Sequence, residues 1–316
     1  MFCINLDTID PFFNLAVEEV LLKNRKEDFL ILGINSPSII IGKHQSAHRE
    51  SDTRFVVMNS IPVIRRITGG GTVFHDRGNL NFTFIAQSEP GRQIDFRKYT
   101  APVIDYLATL GISACFGGKN DLKVDGLKIS GNAEHVYRNR VLHHGTLLFS
   151  SSLGILRNAI RKDPSHYITR AVASNPSPVM NLSDKLKLFG DISRFKSEMM
   201  GYFLAKLPGA LTYELSYPDR KEAEELALSK YKTWEWNYAY GPEYRLNKSI
   251  DFRNCRYSLN MFVKDGIIAD CEIIGQGLLH QSGAKLTGCR HMASDIMMVL
   301  NRHGIAITEE ELYLFF

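Results

Sequence analysis

The stretch RRITGGGTVFHDRGNLNF, residues 65–82, decides how this chain is read. Two cations, Arg65 and Arg66, run into three consecutive glycines, Gly69 to Gly71, and then into short apolar pieces. A glycine triplet costs backbone entropy, so a strand-rich segment carries one only where something must come very close. Free of side chains, such a backbone reaches unusual φ and can turn its N–H groups toward an anion. No G-x-x-x-x-G-K-[ST] pattern occurs and no helical periodicity follows, so this is neither a phosphate loop of that kind nor a dinucleotide fingerprint. Alone, the run would read as a sharp sheet corner. Guanidiniums beside it favour phosphate or carboxylate recognition, and strand alternation leaves one of the two arginines facing the ligand.

Composition sets the frame around this stretch. The 316 residues are 44% hydrophobic and 23% charged, with a formal net charge of +4. That is enough chain for a large core and a second, smaller domain. The charge is too mild and too dispersed to argue for nucleic acid. No apolar run reaches the roughly 20 residues of a membrane span, and the acidic N-terminal segment does not read as a signal peptide. Cys3, Cys115, Cys255, Cys271 and Cys289 are scattered without a C-x-x-C pair, which suits reduced thiols in a cytoplasm.

Upstream of the triplet, Asp10-Pro11 before FFNLAVEEVLL reads as a cap, a proline in the first turn and an amphipathic helix. FLILGI and SIIIGK read as buried strands. Downstream, a helix over Phe96–Leu110 ends at Gly111, and AEHVYRN with RVLHHGTLLFS forms a hairpin. Residues 161–178 hold three prolines and little periodicity, the mark of a long surface loop. Helices resume near 193–206 and 219–231, KTWEWNYAYGPEY reads as a connection, and from about Phe252 a hairpin around Asp265-Gly266 and a closing helix form a last unit. The expected fold is α+β: a mixed-sheet catalytic domain over 1–245 and a small C-terminal α+β accessory domain over 246–316.

NDLKVDGLKIS contains the strongest short hairpin signal, Asp125-Gly126. A two-residue turn there pairs Val124 with Leu127, Lys123 with Lys128 and Asp121 with Ser130. Two lysines directly opposite repel unless an anion sits beside them, and Asp121 stands diagonal to Lys128, close enough to orient its ammonium. The alternative is a solvated face on which both lysines splay apart. In HHGTLL, adjacent His143 and His144 point to opposite faces, which argues against a zinc site and for one buried and one cavity-lining histidine. No HExxH, no GxSxG and no paired-carboxylate spacing supports a hydrolase.

RRITGGGTVFHDRGNLNF, GGKNDLKVDGLKISGNA and HHGTLLF, in this order, closely resemble the lipoate–protein ligase A family of the biotin/lipoate protein ligase superfamily. NLAVEEVLL and TWEWN also match, so the resemblance covers nearly the whole chain. It implies a two-step reaction: lipoate and Mg-ATP give lipoyl-AMP and pyrophosphate, and the lipoyl group then passes to a lysine of an acceptor domain. It implies Lys128 as the catalytic cation and Arg66 as the cation on the glycine-loop side. Gly70, Gly71, Thr72, Val73 and Phe74 correspond to the nucleotide-contacting segment. Asn120 and Asp121 correspond to phosphate or Mg²⁺ positioning. His75, Asn79 and His144 stand behind the substrate contacts, and Gly131 and Gly145 complete the binding set. Val73, Phe74 and Leu147 offer an apolar slot for the lipoyl chain, and the 161–178 loop would cover the adenylate. The implied acceptor is a 2-oxo acid dehydrogenase E2 lipoyl domain or a glycine-cleavage H protein, met by a cytoplasmic monomer without nucleic acid or membrane.

One rival is an amidotransferase of the same fold that holds the acyl group as a thioester on Cys115, or one that transfers from preformed lipoyl-AMP. Cys115 also reads as an ordinary small apolar residue at a strand end. A non-catalytic module that only holds lipoate or an adenylate would have little use for Lys128, Arg66 and Asp121 together.

Overall fold

The structure, a computed structural model, describes residues 1–88, 94–187, 189–280 and 282–316. The strands are β1 (Phe2–Asn5), β2 (Phe29–Ile34), β3 (Ser38–Ile41), β4 (Val63–Arg65), β5 (Val73–His75), β6 (Asn79–Gln87), β7 (Cys115–Gly117), β8 (Asp121–Val124), β9 (Leu127–Tyr137), β10 (Arg140–Leu148), β11 (Tyr167–Thr169), β12 (Leu211–Thr212), β13 (Tyr244–Phe252), β14 (Cys255–Lys264) and β15 (Ile267–Gly275). As the sequence leads one to expect, the architecture is α+β on a mixed sheet. Two compact units form, one from Met1–Lys43, Ile64–Arg157 and Ser174–Lys232, the other from His44–Val63, Asn158–Ala173 and Thr233–Phe316. Among the described residues no helix is long and apolar enough to cross a membrane.

The larger unit is built on an eight-stranded sheet in the order β12-β1-β2-β6-β10-β9-β8-β7. β1 runs parallel to β12 and β2, and the remaining ladders are antiparallel. Leu30, Phe82, Phe84 and Phe149 pack with Val103 and Leu107 of the helix Phe96–Thr109 and with Phe195 and Phe203 of the helix Ile192–Lys206. Gly111, at φ 75°, ends the first of these helices as its position predicts. Asp10 caps the helix Pro11–Asn24, accepting from the N–H of Phe12 at 2.9 Å. That helix is not amphipathic as its periodicity predicts. Residues 13–22 are all buried, Glu18 and Glu19 included, because the helix Tyr217–Leu226 packs against it as well. A second sheet of order β4-β3-β5 carries the glycine triplet in the connection between β4 and β5.

In the smaller unit, β11-β13-β14-β15 form a four-stranded sheet whose apolar side packs on Ile296 and Leu300 of the helix Ala293–Arg302. Two expectations are corrected here. Residues 161–178 are not loop throughout, since Tyr167–Thr169 adds a strand to β13, and that sheet begins at Tyr244 rather than near Phe252. The pairing partner lies some 80 residues away, beyond the reach of local periodicity.

Beside this sheet His48 and His291 are buried and neutral. His48 donates from Nε2 to the His291 carbonyl at 2.7 Å, and His291 donates from Nε2 to the Phe315 carbonyl at 2.8 Å, leaving its Nδ1 to accept from Tyr244 Oη at 2.5 Å. Burial brings the His291 pKa down to about 4 and His48 well below its usual value. A neutral ring in the folded state contributes stability that is complete above the unfolded pKa of 6.5. That stability falls as pH drops from 6.5 toward about 4, by about 3 kcal/mol for His291 alone. Urea melts at pH 7.5 and 4.5 are expected to show this loss, and in His291→Gln the difference shrinks. Equal midpoints at both pH values would contradict it.

Candidate active site

The β8–β9 hairpin turns at Asp125 and Gly126, both with positive φ (52° and 79°), the backbone an Asp-Gly pair supplies. Val124 pairs with Leu127 and Lys123 with Lys128, as the sequence predicts. The next pair differs. The register shifts by one residue, Ile129 forming a β-bulge, so Leu122 meets Ser130 and Asp121 meets Gly131. Alternation then puts Asp121, Lys128 and Gly131 on one face. A side chain at Gly131 would meet Lys128 Cε and Nζ at 3.2 Å, so the lysine stem lies in the space that glycine leaves. The ammonium reaches Asp121 Oδ1 at 2.8 Å. The bulge is therefore what aims the cation. Lys123 instead lies over Gly117, where a Cβ would come within 2.9 Å of its Cδ.

The glycine loop and β5 are placed over this face. Val73 lies 3.8 Å from the same Gly131 position, and Gly70, at φ 87°, lies 3.8 Å from Ala133 Cβ in the same sense. The backbone of Gly42, which follows β3, passes so close to the triplet that it leaves no room for a side chain. A Cβ there would stand 2.2 Å from the Gly70 carbonyl oxygen. Ser174 approaches from another side, its Oγ accepting from the Thr72 N–H at 2.8 Å. The same segment reaches the hairpin, with Lys128 N–H donating to the Pro178 carbonyl at 2.9 Å.

Arg66 does not face open space as its motif position suggests. Its Nε donates to Thr68 Oγ1 at 2.7 Å, Nη1 to the Ile40 carbonyl at 3.1 Å, and Nη2 to the carbonyls of Gly69 and Gly71 at 2.6 and 2.7 Å. Four of its five N–H groups are thus turned inward, and the side chain shapes the loop from behind. Burial lowers its pKa to about 10, with the Glu18 carboxylate acting in the opposite direction. Arg65 is fully buried and donates to the carbonyls of Gly42 and Lys43.

From Arg66 a polar chain continues across the sheet. Thr68 Oγ1 meets His144 Nε2 at 2.8 Å, His144 Nδ1 meets Glu18 Oε2 at 2.8 Å, and Glu18 Oε1 accepts from Thr83 Oγ1 at 2.6 Å. Glu18 and Thr68 escaped the sequence reading. Glu18 sits inside NLAVEEVLL, where an acid reads as solvated, and its partners come from strands more than 60 residues away. His75 is turned elsewhere, its Nδ1 against Asn35 Nδ2 at 2.9 Å, and burial drives its pKa to about 3, so it is neutral. Asn79 is fully buried and donates to Asn81, while Asn120 donates to the Asn132 carbonyl at 2.6 Å. Phe74 and Leu147 are buried. Val73, the third apolar candidate, approaches the Gly131 position that the Lys128 stem occupies. Gly145 earns its place by size alone, since a Cβ there would come 2.2 Å from Asn132 Oδ1 and 2.3 Å from the Phe82 ring.

Among the described residues no group of three His, Cys, Asp or Glu side chains could hold a metal. Asp121 is a single carboxylate at the site, which fits Mg²⁺ carried in on phosphates, an ion that takes one or two protein carboxylates and keeps water and phosphate oxygens. Cys115 is exposed on the edge strand β7, cross-strand from Lys123.

Comparison with known proteins shows the family. A family model for the lipoyl protein ligase A/B catalytic domain matches residues 10–204. The lipoate–protein ligase LplJ of Bacillus subtilis (strain 168) is 36% identical over 279 residues, 87% of this chain and 84% of that protein. Lipoate–protein ligase 1 of Staphylococcus aureus (strain Mu50) is 34% identical over 310 residues, 96% and 94% of the two chains. Among solved structures, a putative lipoate protein ligase from T. acidophilum with bound lipoic acid aligns with a TM-score of 0.63 at 26% identity, covering 75% of this chain and 98% of that one. A lipoate-protein ligase A bound with ATP gives 0.64 at 26%, covering 75% and 97%. A bi-partite lipoate protein ligase of Thermoplasma acidophilum described with its E2 lipoyl domain gives 0.62 at 26%, covering 75% and 95%. This chain belongs to the lipoyl protein ligase A/B catalytic domain family.

Proposed function

We propose that the protein is an ATP-dependent lipoate–protein ligase that forms lipoyl-AMP with release of pyrophosphate and then lipoylates a lysine of an acceptor protein. The observation that carries this reading is the Lys128 ammonium held at 2.8 Å from Asp121, over Gly131 and beside Val73. In the first step a carboxylate anion approaches the α-phosphate. The demand is for cations and N–H donors with little acid–base machinery. Lys128 neutralises the carboxylate there, and in the second step it stabilises the oxyanion that develops on the same carbonyl as the acceptor amine attacks. The backbone from Gly70 to Phe74 holds the nucleotide, with Arg66 adding positive charge from behind the loop. His144, oriented by Glu18 and Thr68, lines the binding face; Gly145, the neutral His75 and Asn79 stand behind it, and Asn120 ties the start of the hairpin to the Asn132 carbonyl of β9. Asp121 would hold Mg²⁺, which neutralises phosphate charge when bound with ATP.

The catalytic residues all fall within 1–245, and 246–316 serves as an accessory domain. The acceptor is an E2 lipoyl domain or a glycine-cleavage H protein, and the enzyme works as a cytoplasmic monomer. Segment 174–180, bonded to Thr72 and Lys128 at once, shields the mixed anhydride from water. The test is acceptor lipoylation: purified protein, lipoate and Mg-ATP should add a lipoyl mass to an apo-lipoyl domain, and omission of ATP should stop it. Cys115→Ser is expected to act at the wild-type rate. A dead Cys115→Ser variant, with a thioester trapped on the wild type, would favour the amidotransferase.

A further inference from the structure

His143 lies on the opposite face of β10 from His144 and is fully buried among the rings of Phe82, Phe96 and Tyr99. Its Nδ1 meets Glu134 Oε1 at 2.8 Å and its Nε2 meets Asn132 Oδ1 at 3.2 Å. The Glu134 side chain is equally buried, and its second oxygen accepts from the Asp95 N–H at 3.0 Å. The Asn132 amide cannot be turned over without loss. Its Nδ2 donates to the Asn120 carbonyl at 2.9 Å and to Ser130 Oγ at 3.2 Å, so the reversed amide would set oxygen against oxygen. Oδ1 therefore faces His143, and an acceptor there requires a proton on Nε2. On the other side the ring meets a carboxyl.

Burial lowers the His143 pKa and outweighs the hydrogen bond and charge of Glu134, which act in the opposite direction. The second proton sits on Nδ1 or on the carboxyl. Either placement keeps Nε2–H aimed at Asn132 and leaves the pair neutral overall, which suits complete burial. His144 is the further titratable neighbour.

From Asn132 the chain reaches the hairpin. Asn132 N–H and Nδ2 both donate to the Asn120 carbonyl, and Asn120 Nδ2 returns a bond to the Asn132 carbonyl. Asn120 immediately precedes Asp121, the carboxylate that fixes Lys128. We propose that His143 is a positioning residue for the Asp121–Lys128 pair: protonated on Nε2, it holds the Asn132 amide, which clamps Asn120 and so sets Asp121 beneath the ammonium. This role rests on the reading of Lys128 as the catalytic cation. The protonation itself does not.

Two measurements test it. Two-bond ¹H–¹⁵N spectra of the full chain labelled at histidine, with His143 identified by its loss in His143→Gln, should show a proton on Nε2 from pH 6.5 to 8. A bare Nε2 with the proton on Nδ1 overturns the proposal. Kinetically, His143→Leu should lower kcat for lipoate-dependent pyrophosphate release about 10- to 100-fold, the usual cost of losing an orienting partner. KM for lipoate and ATP should stay within about twofold, and His143→Gln, which keeps a donor amide, should recover most of the rate. A wild-type rate in His143→Leu, or no advantage of Gln over Leu, contradicts it. If His143→Leu shows no cooperative melt, Glu134→Gln decides. Its amide can donate to Nδ1 and keep the proton on Nε2, so near-wild-type activity is expected, and a rate as low as that of Lys128→Ala overturns the proposal. Lys128→Ala runs alongside: active, it removes the site reading; inactive beside a fully active His143→Leu, it leaves that reading and removes only the positioning role.

Discussion

Lys128→Ala is expected to abolish lipoyl-AMP formation while leaving the protein folded. The ammonium is the cation that the hairpin geometry brings to the site face, its stem lying over Gly131. Removing one preorganised donor at a developing oxyanion costs about 10²- to 10³-fold, and a charged donor lies at the upper end. Stability should change little, because the Lys128 and Asp121 side chains are 22% and 19% exposed and the carboxylate left behind can be hydrated. The variant should therefore keep the wild-type melting temperature, bind the acceptor and release no pyrophosphate. Near-wild-type turnover would place the chemistry elsewhere.

Gly42→Ala should have the second largest effect, although Gly42 lies outside the motif. Its added methyl would stand 2.2 Å from the Gly70 carbonyl oxygen and 3.1 Å from the Gly70 carbonyl carbon. Both are backbone atoms, so no side chain can swing aside, and the loop must shift by about 1 Å to reach ordinary contact. A misplacement of that size at a reacting centre costs about 10²-fold, and the overpacking costs about 1–3 kcal/mol. The expected signature is a large fall in adenylate formation with a modest fall in melting temperature. Unchanged kinetics would mean that the loop's position does not matter to the reaction.

These two residues also mark what the sequence makes legible. The Asp125-Gly126 turn makes the Lys123–Lys128 pairing legible, but it leaves a solvated face open, and only the family resemblance singles out Lys128. The bulge at Ile129 is not legible, since isoleucine suits a regular strand as well as a bulge, and only the observed register puts Gly131 under the lysine. Gly42 ends an unremarkable apolar strand, and its need for hydrogen in place of a side chain comes from a loop 28 residues on. Arg66 reads in the sequence as a cation facing a ligand beside the triplet, but strand alternation says nothing of how far a guanidinium folds back. Here it reaches the carbonyls of the very glycines it was expected to flank. Glu18 shows the same limit from the other side. A buried carboxylate in an apolar helix is recognisable only after His144 and Thr83 have been brought to it by the sheet.

The account turns on whether the protein makes an adenylate by itself. Purified protein would be given lipoate and Mg-ATP with no acceptor, pyrophosphate followed in time, and the enzyme-bound products identified by mass spectrometry. The prediction is lipoate-dependent pyrophosphate release together with lipoyl-AMP, both lost in Lys128→Ala. A folded wild-type protein that releases no pyrophosphate and forms no adenylate, yet transfers an acyl group without ATP, would contradict it.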